Sequence, residues 1–328
     1  MTAYQAPRWL PGSHAQTIWP ALMLKQAPPA YRRELWATPD GGQIAVDRID
    51  GQAGQPLVVL FHGLEGSSHS HYAIALMRAL QARGWHGAVP HFRGCGGVEN
   101  TLPRAYHAGD AAEIGWICRR LAAENPQLFA AGVSLGGNML LRQMGEQGSQ
   151  AIPLAAAAIS APLDLAAAST RLDRGVGRLL YTRMFMNTLK PKSLAQLQHH
   201  PGLFDRRAVM RARTFGEFDN LVTAPLHGYR NVQDYWARAS SKPLLKQIMR
   251  PTLVLNAVND PFLPPHALPG QADVSTAVCL EQPTEGGHVG FVSGPFPGTL
   301  AWLPQRLLAF FDSYQRAQAH SRKPSHHV

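Results

Sequence analysis

Cysteine, charge and long apolar runs are all scarce in this chain of 328 residues. The three cysteines, Cys95, Cys118 and Cys279, are too few for a disulfide framework, and no cysteine or histidine spacing is typical of a metal site. We therefore expect the protein to work in a reducing compartment, the cytoplasm. We also expect it to need no metal ion and no other cofactor.

Charged residues make up 16% of the chain, against roughly 25% in an ordinary soluble protein. Apolar residues make up 45%, which is enough for a large core and argues against disorder. The most apolar stretch, residues 152–168, is interrupted by Pro153, Pro162 and Asp164, so it cannot span a bilayer. The N-terminus lacks the charged start and apolar run of a signal peptide.

The formal net charge of +10 is the one compositional anomaly, and it is localised. Residues 171–213 contain ten Arg or Lys and only two acids, so they supply eight of the ten net charges. A basic surplus suggests a nucleic-acid-binding protein, but no binding motif accompanies it and the surplus is confined to one segment. We therefore expect no nucleic-acid partner and no obligate protein partner.

Apolar periodicity predicts strands and helices that alternate, with one long interruption. The predicted strands are 43–49, 56–61, 87–90, 128–133, 155–159, 252–257 and 277–281, and the predicted helices between and after them are 71–83, 105–122, 135–145 and 300–316. Between the strands at 155–159 and 252–257, only short helices are predicted, at 176–189, 193–200 and 232–238.

Alternating strands and helices require a mostly parallel sheet with helices on both faces, so the fold class is α/β. We predict that residues 1–161 and 247–318 form this core, with residues 1–34 as an irregular arm. Residues 162–246 are predicted to be a helical cap inserted into it. The polar residues 319–328 are predicted to be a flexible tail.

Residues 132–137, Gly-Val-Ser-Leu-Gly-Gly, fit the pattern G-x-S-x-G between a predicted strand and a predicted helix. In that context the serine sits on a sharp turn, and small residues on both sides avoid a clash with neighbouring backbone. The N-terminus of the following helix points amide groups at the anion formed during nucleophilic attack. The pattern predicts that Ser134 is a nucleophile, although a structural glycine-rich turn would read the same way.

A serine nucleophile needs a histidine base and an orienting carboxylate, which follow it along the chain in this type of sheet. Asp260 follows the predicted strand 252–257, and His288 lies between glycines just before the last helix. Alone, Asp260 could be a turn former and His288 an ordinary loop histidine. Their order and their positions after successive strands predict a triad with Ser134.

The oxyanion formed by the attack needs two amide donors, one after the nucleophile and one on the loop after the first buried strand. These positions predict the backbone amides of Leu64 and Leu135 as the pair. His62 is expected to shape the loop and not to act as the base. Glu65 and Asp110 are expected to be surface or capping groups, and Cys95 lacks the context of a nucleophile.

Several motifs follow one another between residues 9 and 291: Trp9-Leu10, HAQT (14–17), HGLEGSSHSHY (62–72), HFRGCGG (91–97), GVSLGGN (132–138), FDNLVTAP (218–225), HGY (227–229), NAVNDPF (256–262) and GGHVGF (286–291). Together they resemble the α/β-hydrolase superfamily, and more narrowly the YheT-like family of bacterial hydrolases, which is related to the ABHD acylglycerol and phospholipid lipases.

The resemblance implies an α/β-hydrolase fold, the triad Ser134, Asp260 and His288, and hydrolysis of short- to medium-chain acyl esters or acylglycerols. One departure is Trp236, where the family pattern leads us to expect a second tyrosine. No N-terminal membrane helix is evident, so the membrane-bound location of the ABHD relatives does not carry over.

The sequence is also compatible with other functions. An acyltransferase would use the same triad, with an alcohol or thiol in place of water. A non-catalytic interaction protein on the same scaffold is disfavoured by the intact set of triad residues. A dehalogenase is excluded because it needs a carboxylate where this chain has Ser134.

Residues 176–186 interleave apolar and basic side chains at a spacing compatible with a two-faced helix. We expect the apolar side to pack over the catalytic cleft and form an acyl pocket. The arginines either solvate the outer surface or make weak contact with an anionic membrane surface.

Overall fold

The protein is built on one eight-stranded sheet with the order β1-β2-β4-β3-β5-β6-β7-β8. A computed structural model describes residues 3–321, with side chains described for residues 3–315. The strands are β1 (Arg32–Ala37), β2 (Gln43–Ile49), β3 (Leu57–Phe61), β4 (His86–Pro90), β5 (Leu128–Val133), β6 (Ala156–Ile159), β7 (Thr252–Leu255) and β8 (Val278–Glu281). Pairs β1–β2 and β2–β4 are antiparallel and the other pairs are parallel, which confirms the predicted α/β class.

The main helices are α1 (Ser13–Met23), α2 (His71–Ala82), α3 (Ala111–Glu124), α4 (Leu135–Gln147), α5 (Leu165–Leu172), α6 (Arg183–His199), α7 (Arg206–Arg211), α8 (Val232–Ala239) and α9 (Trp302–Ser321). Short helical turns lie at Gly148–Gln150, Gly175–Gly177, Phe215–Phe218, Ala224–Leu226, Lys242–Gln247, Pro265–Ala267 and Gln271–Asp273, and π-helical turns at Arg178–Thr182 and Asp219–Thr223. No helix within residues 3–321 is long and apolar enough to cross a bilayer.

Apolar side chains on both faces of the central strands hold the helices against the sheet. On β3, Val59 and Phe61 join the cluster formed with α3 and α4, whereas Val58 and Leu60 join the cluster on the opposite face with α2 and α9. Successive side chains of a strand point to opposite faces, so a wholly apolar strand fills two cores at once. Packing on both faces holds the sheet rigid. The loops at the carboxyl ends of its parallel strands therefore start from fixed positions.

The N-terminal segment is more regular than the sequence indicates. Residues 1–34 are predicted to be irregular, but they contain α1 and the start of β1. The apolar period of α1 is weak because its few buried side chains, Gln16 and Pro20, include a polar one. The prediction of an irregular arm is therefore wrong in these two places.

Helix boundaries also differ from those predicted. Helix α3 begins at Ala111 and not at residue 105, because the side chain of Asp110 accepts a hydrogen bond from Glu113 N and caps it there. The predicted break between residues 189 and 193 is absent, and α6 continues through Pro191. The buried side chain of Gln196 donates to the carbonyl groups of Leu102 and Arg104, which holds the second half of α6 against the core.

Residues 162–246 are called the cap segment below, and their status as a separate domain stays a prediction. The predicted two-faced helix in this segment has a different apolar pattern from the one expected. Tyr181 is buried, but Leu179 and Met184 are exposed, because side chains on adjacent positions of a helix point in different directions.

Of the predicted tail, residues 319–321 continue α9 and residues 322–328 lie outside the described part of the chain.

Gly136, at the start of α4, lies directly against the end of β3. A Cβ atom at this position would overlap the backbone carbonyl oxygens of Phe61 and His62. We expect Gly136→Ala to lower the free energy of unfolding by about 1–3 kcal/mol, since the overlapping atoms are backbone in the central strand.

Denaturant unfolding followed by circular dichroism measures this effect. Gly270→Ala is the matched control, because the nearest atom to its added Cβ is 3.9 Å away, and its stability should change by less than about 0.5 kcal/mol. Equal stabilities of the two variants would contradict the close approach.

Candidate active site

Ser134 sits on a tight turn between β5 and α4. Its φ of 52° and ψ of −119° are unusual for a residue other than glycine, and its amide donates to Ile159 O on the neighbouring strand at 2.8 Å. A Cβ atom at Gly132 would lie 2.5 Å from Gly136 O, so both flanking glycines allow the strand and helix to approach. The turn therefore has the geometry that the G-x-S-x-G pattern predicts.

Asp260 and His288 lie beside Ser134, as the sequence predicts. His288 Nε2 is 3.0 Å from Ser134 Oγ, and His288 Nδ1 is 2.8 Å from Asp260 Oδ2. Asp260 is 3% exposed, and its other carboxylate oxygen accepts a hydrogen bond from Phe262 N at 2.8 Å. The three side chains form one chain of hydrogen bonds that can move a proton from the hydroxyl to the imidazole.

The imidazole ring of His288 is held from several sides. Phe262 stacks on it with ring centroids 3.8 Å apart and planes 10° from parallel. The backbone amide of His288 donates to Thr17 Oγ1 at 2.9 Å, and the next amide, of Val289, donates to Ser160 Oγ at 3.0 Å. The ring is thus fixed in the orientation that points Nε2 at Ser134.

Gln16 is a positioning residue that the sequence analysis did not single out. It is 1% exposed on α1, and its Oε1 accepts hydrogen bonds from Gly286 N at 3.0 Å and Asn259 Nδ2 at 2.9 Å. It therefore joins the loop of Asp260 to the loop of His288. Gln16 belongs to the HAQT motif, but the sequence of this motif does not indicate which loops Gln16 contacts.

Glycines let the His288 loop lie directly on α1. A Cβ atom at Gly287 would come within 2.8 Å of the Thr17 backbone nitrogen, and one at Gly290 would overlap Gln16 O. Steric exclusion thus explains the glycines around His288. They allow the loop to come within reach of Gln16 and Thr17.

The backbone amide of Leu64, the first predicted oxyanion donor, lies on the loop that follows β3. The amides on either side of it, at Gly63 and Glu65, donate to the hydroxyl groups of Tyr72 and Tyr106, both at 2.9 Å. Among the described residues, Leu64 N has no acceptor of its own. A Cβ atom at Gly63 would lie 3.3 Å from Ser134 Cβ, so the loop runs directly beside the serine.

The second predicted donor, Leu135, is the first residue of α4. An amide in the first turn of a helix has no acceptor within the helix, and the helix dipole adds partial positive charge there. The two predicted donors thus lie on the two backbone segments that adjoin Ser134. Their catalytic role stays a prediction, as does that of the three side chains.

His62 has the loop-shaping contacts expected of it. Its ring is fully buried, with Nδ1 2.7 Å from Gly63 O, and its Nε2 accepts a hydrogen bond from Phe92 N at 3.0 Å. Burial lowers the pKa of His62 to about 3, so the ring is neutral. Its two contacts brace the loop that carries Leu64.

Glu65 is not the surface group that we expected. Its side chain is 8% exposed and pairs at 2.8 Å with Lys192 Nζ, which comes from α6 in the cap segment. Tyr106 OH also donates to Glu65 Oε1, at 2.6 Å. A buried carboxylate needs a partner, and the partner of Glu65 lies 127 residues away along the chain.

Cys95 lies next to this ion pair, 3.4 Å from Lys192 Nζ. Burial raises the pKa of the Cys95 thiol to about 11, which disfavours the reactive thiolate. The thiol is therefore a packing group, in line with the expectation that it is not a nucleophile.

A cavity of about 220 Å³ opens at Ser134 between the sheet and the cap segment. Most of its wall is apolar, with Leu64, Leu172, Phe185, Phe215, Phe218 and Phe262 among the lining residues. No group of three His, Cys, Asp or Glu side chains within the described residues could hold a metal ion there. The cavity can thus accept an apolar group directly against the candidate nucleophile.

Asp219 is a further carboxylate that lines this cavity. Its carboxylate accepts hydrogen bonds from Trp236 Nε1 at 2.9 Å and Thr223 Oγ1 at 2.7 Å. It belongs to the cap segment, whereas Asp260 is the carboxylate on His288 Nδ1. The observed tryptophan at 236 thus supplies an indole donor to this acid.

Removal from bulk water raises the pKa of Asp219 to about 6, from an ordinary value of 3.8. The folded protein holds this proton more tightly than the unfolded chain, so its contribution to stability is full below about pH 4 and is lost as the pH rises through 6. We expect Asp219→Asn to gain stability relative to wild type between these pH values, by at most about 3 kcal/mol.

Thermal unfolding of both proteins between pH 4 and 8 measures this difference. It should grow up to about pH 6 and stay level above that. A difference independent of pH would show that Asp219 is ionised at its ordinary pKa.

Known proteins resemble this chain both in fold and in sequence. The family described as alpha/beta hydrolase fold matches residues 56–295. Among solved structures, an esterase of Pyrococcus furiosus superposes with a TM-score of 0.56 over 86% of this chain and 91% of its own, at 16% identity. At that identity the likeness concerns the fold alone.

Similar sequences extend over nearly the whole chain. YheT of Escherichia coli (strain K12), named as a candidate esterase, is 37% identical over 93% of this chain and 92% of its own. The phospholipase ABHD3 of Mus musculus is 32% identical over 94% of this chain and 77% of its own. The chain therefore belongs to the α/β-hydrolase superfamily and, within it, to the YheT-like family.

Proposed function

We propose that the protein hydrolyses carboxylic esters through an acyl-enzyme on Ser134. The observation that carries this proposal is the chain of hydrogen bonds from Asp260 through His288 to Ser134, at 2.8 and 3.0 Å. A hydroxyl group is a weak nucleophile unless an oriented base removes its proton, and this chain supplies that base. Relatives named as esterase, phospholipase and monoacylglycerol lipase support the same class of reaction.

In the first half-reaction Ser134 Oγ attacks the ester carbonyl carbon while His288 Nε2 takes the hydroxyl proton. Asp260 keeps the imidazole in the tautomer whose Nε2 can accept this proton, and it stabilises the imidazolium that forms. The amides of Leu64 and Leu135 donate hydrogen bonds to the carbonyl oxygen as it becomes negatively charged. The tetrahedral intermediate then collapses, and His288 gives its proton to the departing alcohol.

In the second half-reaction a water molecule takes the place of the alcohol. His288 Nε2 removes a proton from the water as its oxygen attacks the acyl carbon, and the same two amides hold the second oxyanion. Collapse of this intermediate releases the carboxylic acid and returns the proton to Ser134. The ester and water are consumed, the alcohol and the carboxylic acid are released, and the three side chains return to their starting protonation states.

The substrate class is inferred from the cavity at Ser134. Its apolar wall suits an acyl chain, and its volume of about 220 Å³ is below the roughly 300–1,000 Å³ of typical small-molecule pockets. We therefore propose short- to medium-chain acyl esters or acylglycerols as substrates. Phe185, Leu189 and other cap residues lie in the wall, which supports a role for the cap segment in limiting the acyl length.

Substitution of the triad tests the proposal. With a p-nitrophenyl acyl ester, Ser134→Ala and His288→Ala should each lower kcat by at least about 10³-fold. Asp260→Asn should lower it by about 10⁴-fold, as the same exchange does in serine proteases, because asparagine favours the wrong tautomer. The double variant of Ser134 and His288 should be no worse than either single variant, since the residues act as a unit.

Ser149→Ala is the matched control, because Ser149 is exposed just beyond the other end of α4. It should keep wild-type kcat, and all variants should keep the wild-type far-UV circular dichroism spectrum. Near-wild-type activity in Asp260→Asn would mean that the acid is misassigned. Activity in Ser134→Ala would contradict the acyl-enzyme itself.

A further inference from the structure

Four large apolar side chains on one stretch of the cap segment are exposed to solvent. We call them the apolar ridge: Val176, Leu179, Leu180 and Met184, which are 51%, 70%, 46% and 53% exposed. A single exposed apolar residue is ordinary, but a contiguous group of them marks an interaction surface. The ridge spans the helical turn Gly175–Gly177, the π-helical turn Arg178–Thr182 and the first turn of α6.

The opposite side of the same stretch is built into the candidate active site. Tyr181 OH lies 3.0 Å from His14 Nδ1, and the Tyr181 ring contacts Phe262 with centroids 4.6 Å apart. Phe262 in turn stacks on His288. Phe185 lines the cavity at Ser134. One helix thickness therefore separates the ridge from the catalytic cavity.

Exposed arginines surround the ridge. We call them the arginine rim: Arg171, Arg174, Arg178 and Arg183. The ion pairs that the cap segment forms involve other basic residues, such as Lys192 and Arg238. None of the rim arginines is paired with a carboxylate among the described side chains. Their charge is thus available to an external anion.

A surface cleft of about 640 Å³ adjoins the rim. Its ionisable lining side chains are His14, Arg171, Arg174 and His266, and no carboxylate of the described residues lines it. Lone arginines on a helix could simply be solvated. A concave surface with two arginines and no carboxylate among the described residues provides in addition a place for anionic headgroups beside the ridge.

We propose that the apolar ridge and the arginine rim dock the protein on the surface of an anionic phospholipid bilayer. A helix that presents apolar side chains with cations beside them lies in the plane of a bilayer interface, with its apolar side at the acyl boundary. Each basic residue near an anionic membrane strengthens binding. Charge complementarity therefore identifies the occupant, and the docked protein holds its catalytic cavity one helix thickness away from the lipid.

A protein partner fits the same observations less well. A stable protein interface buries about 800 Å² per partner, and four partly exposed side chains supply only a part of that area. An interface core is also depleted of charged residues, whereas here arginines alternate with the apolar positions. A bilayer needs neither a large matched area nor a fixed pairing of charges.

Vesicle co-sedimentation of the full chain carrying Ser134→Ala tests the proposal. This background prevents hydrolysis of the vesicle lipid, so binding is measured whether or not the proposed ester hydrolysis is correct. We expect binding to vesicles of phosphatidylcholine with phosphatidylglycerol, and little binding to phosphatidylcholine alone. Binding should weaken between about 0.1 M and 1 M salt, where the Debye length falls from about 10 Å to 3 Å.

Two pairs of variants separate the ridge from the rim. Leu179→Asp should weaken binding by at least about tenfold, because a carboxylate replaces the most exposed apolar side chain of the ridge. Its matched control is Met249→Asp, at a position 61% exposed just before β7, at the amino edge of the sheet. Arg178→Gln should weaken binding about fivefold, or about 1 kcal/mol, and Arg119→Gln on α3 should leave it unchanged.

Equal binding to neutral and anionic vesicles, or binding to neither, would overturn the proposal. So would equal losses in Leu179→Asp and Met249→Asp. If instead the parent protein sediments as a dimer that Leu179→Asp dissociates, with no binding to vesicles, then the ridge is a contact between two copies. All substituted side chains are exposed, so melting temperatures should match and folding should not obscure the result.

Discussion

The hydrogen bond between His288 Nε2 and Ser134 Oγ joins residues 154 positions apart, and its geometry depends on how closely backbone segments can approach. Ser134 is held where β5 meets α4 by the contact of Gly136 with the end of β3. His288 is held by a loop that lies on α1, where Gly290 leaves no room for a side chain. The side chains of Ser134, His288 and Asp260 keep their hydrogen-bonding distances because rigid elements hold both Ser134 and His288.

The parts of the site that could be predicted from sequence are those with a local signature. A buried strand, a glycine-flanked serine and a following helix occupy adjacent positions, so the elbow at Ser134 is visible in one short stretch. Asp260 and His288 follow strands whose carboxyl ends meet at one edge of the sheet. Order along the chain and strand topology were therefore enough to bring the three residues together.

The supports of the site could not be predicted in this way, because they are pairings between distant segments. Gln16 contacts Glu285 across 269 positions, and Lys192 contacts Glu65 across 127. Sequence periodicity does not distinguish a buried side-chain amide or a buried ion pair from an exposed one. The cap segment shows the same limit: its apolar residues were visible in the sequence, but not the division that buries Tyr181 and exposes Leu179.

The central claim is that Ser134, activated by His288, is the nucleophile, and labelling with a fluorophosphonate probe tests it most directly. Such a probe phosphonylates only an activated serine, and peptide mass spectrometry locates the label. We expect wild type to carry one label on Ser134, Ser134→Ala to carry none, and His288→Ala to be labelled far more slowly. An unlabelled wild-type protein, or a label on another serine, would contradict the claim.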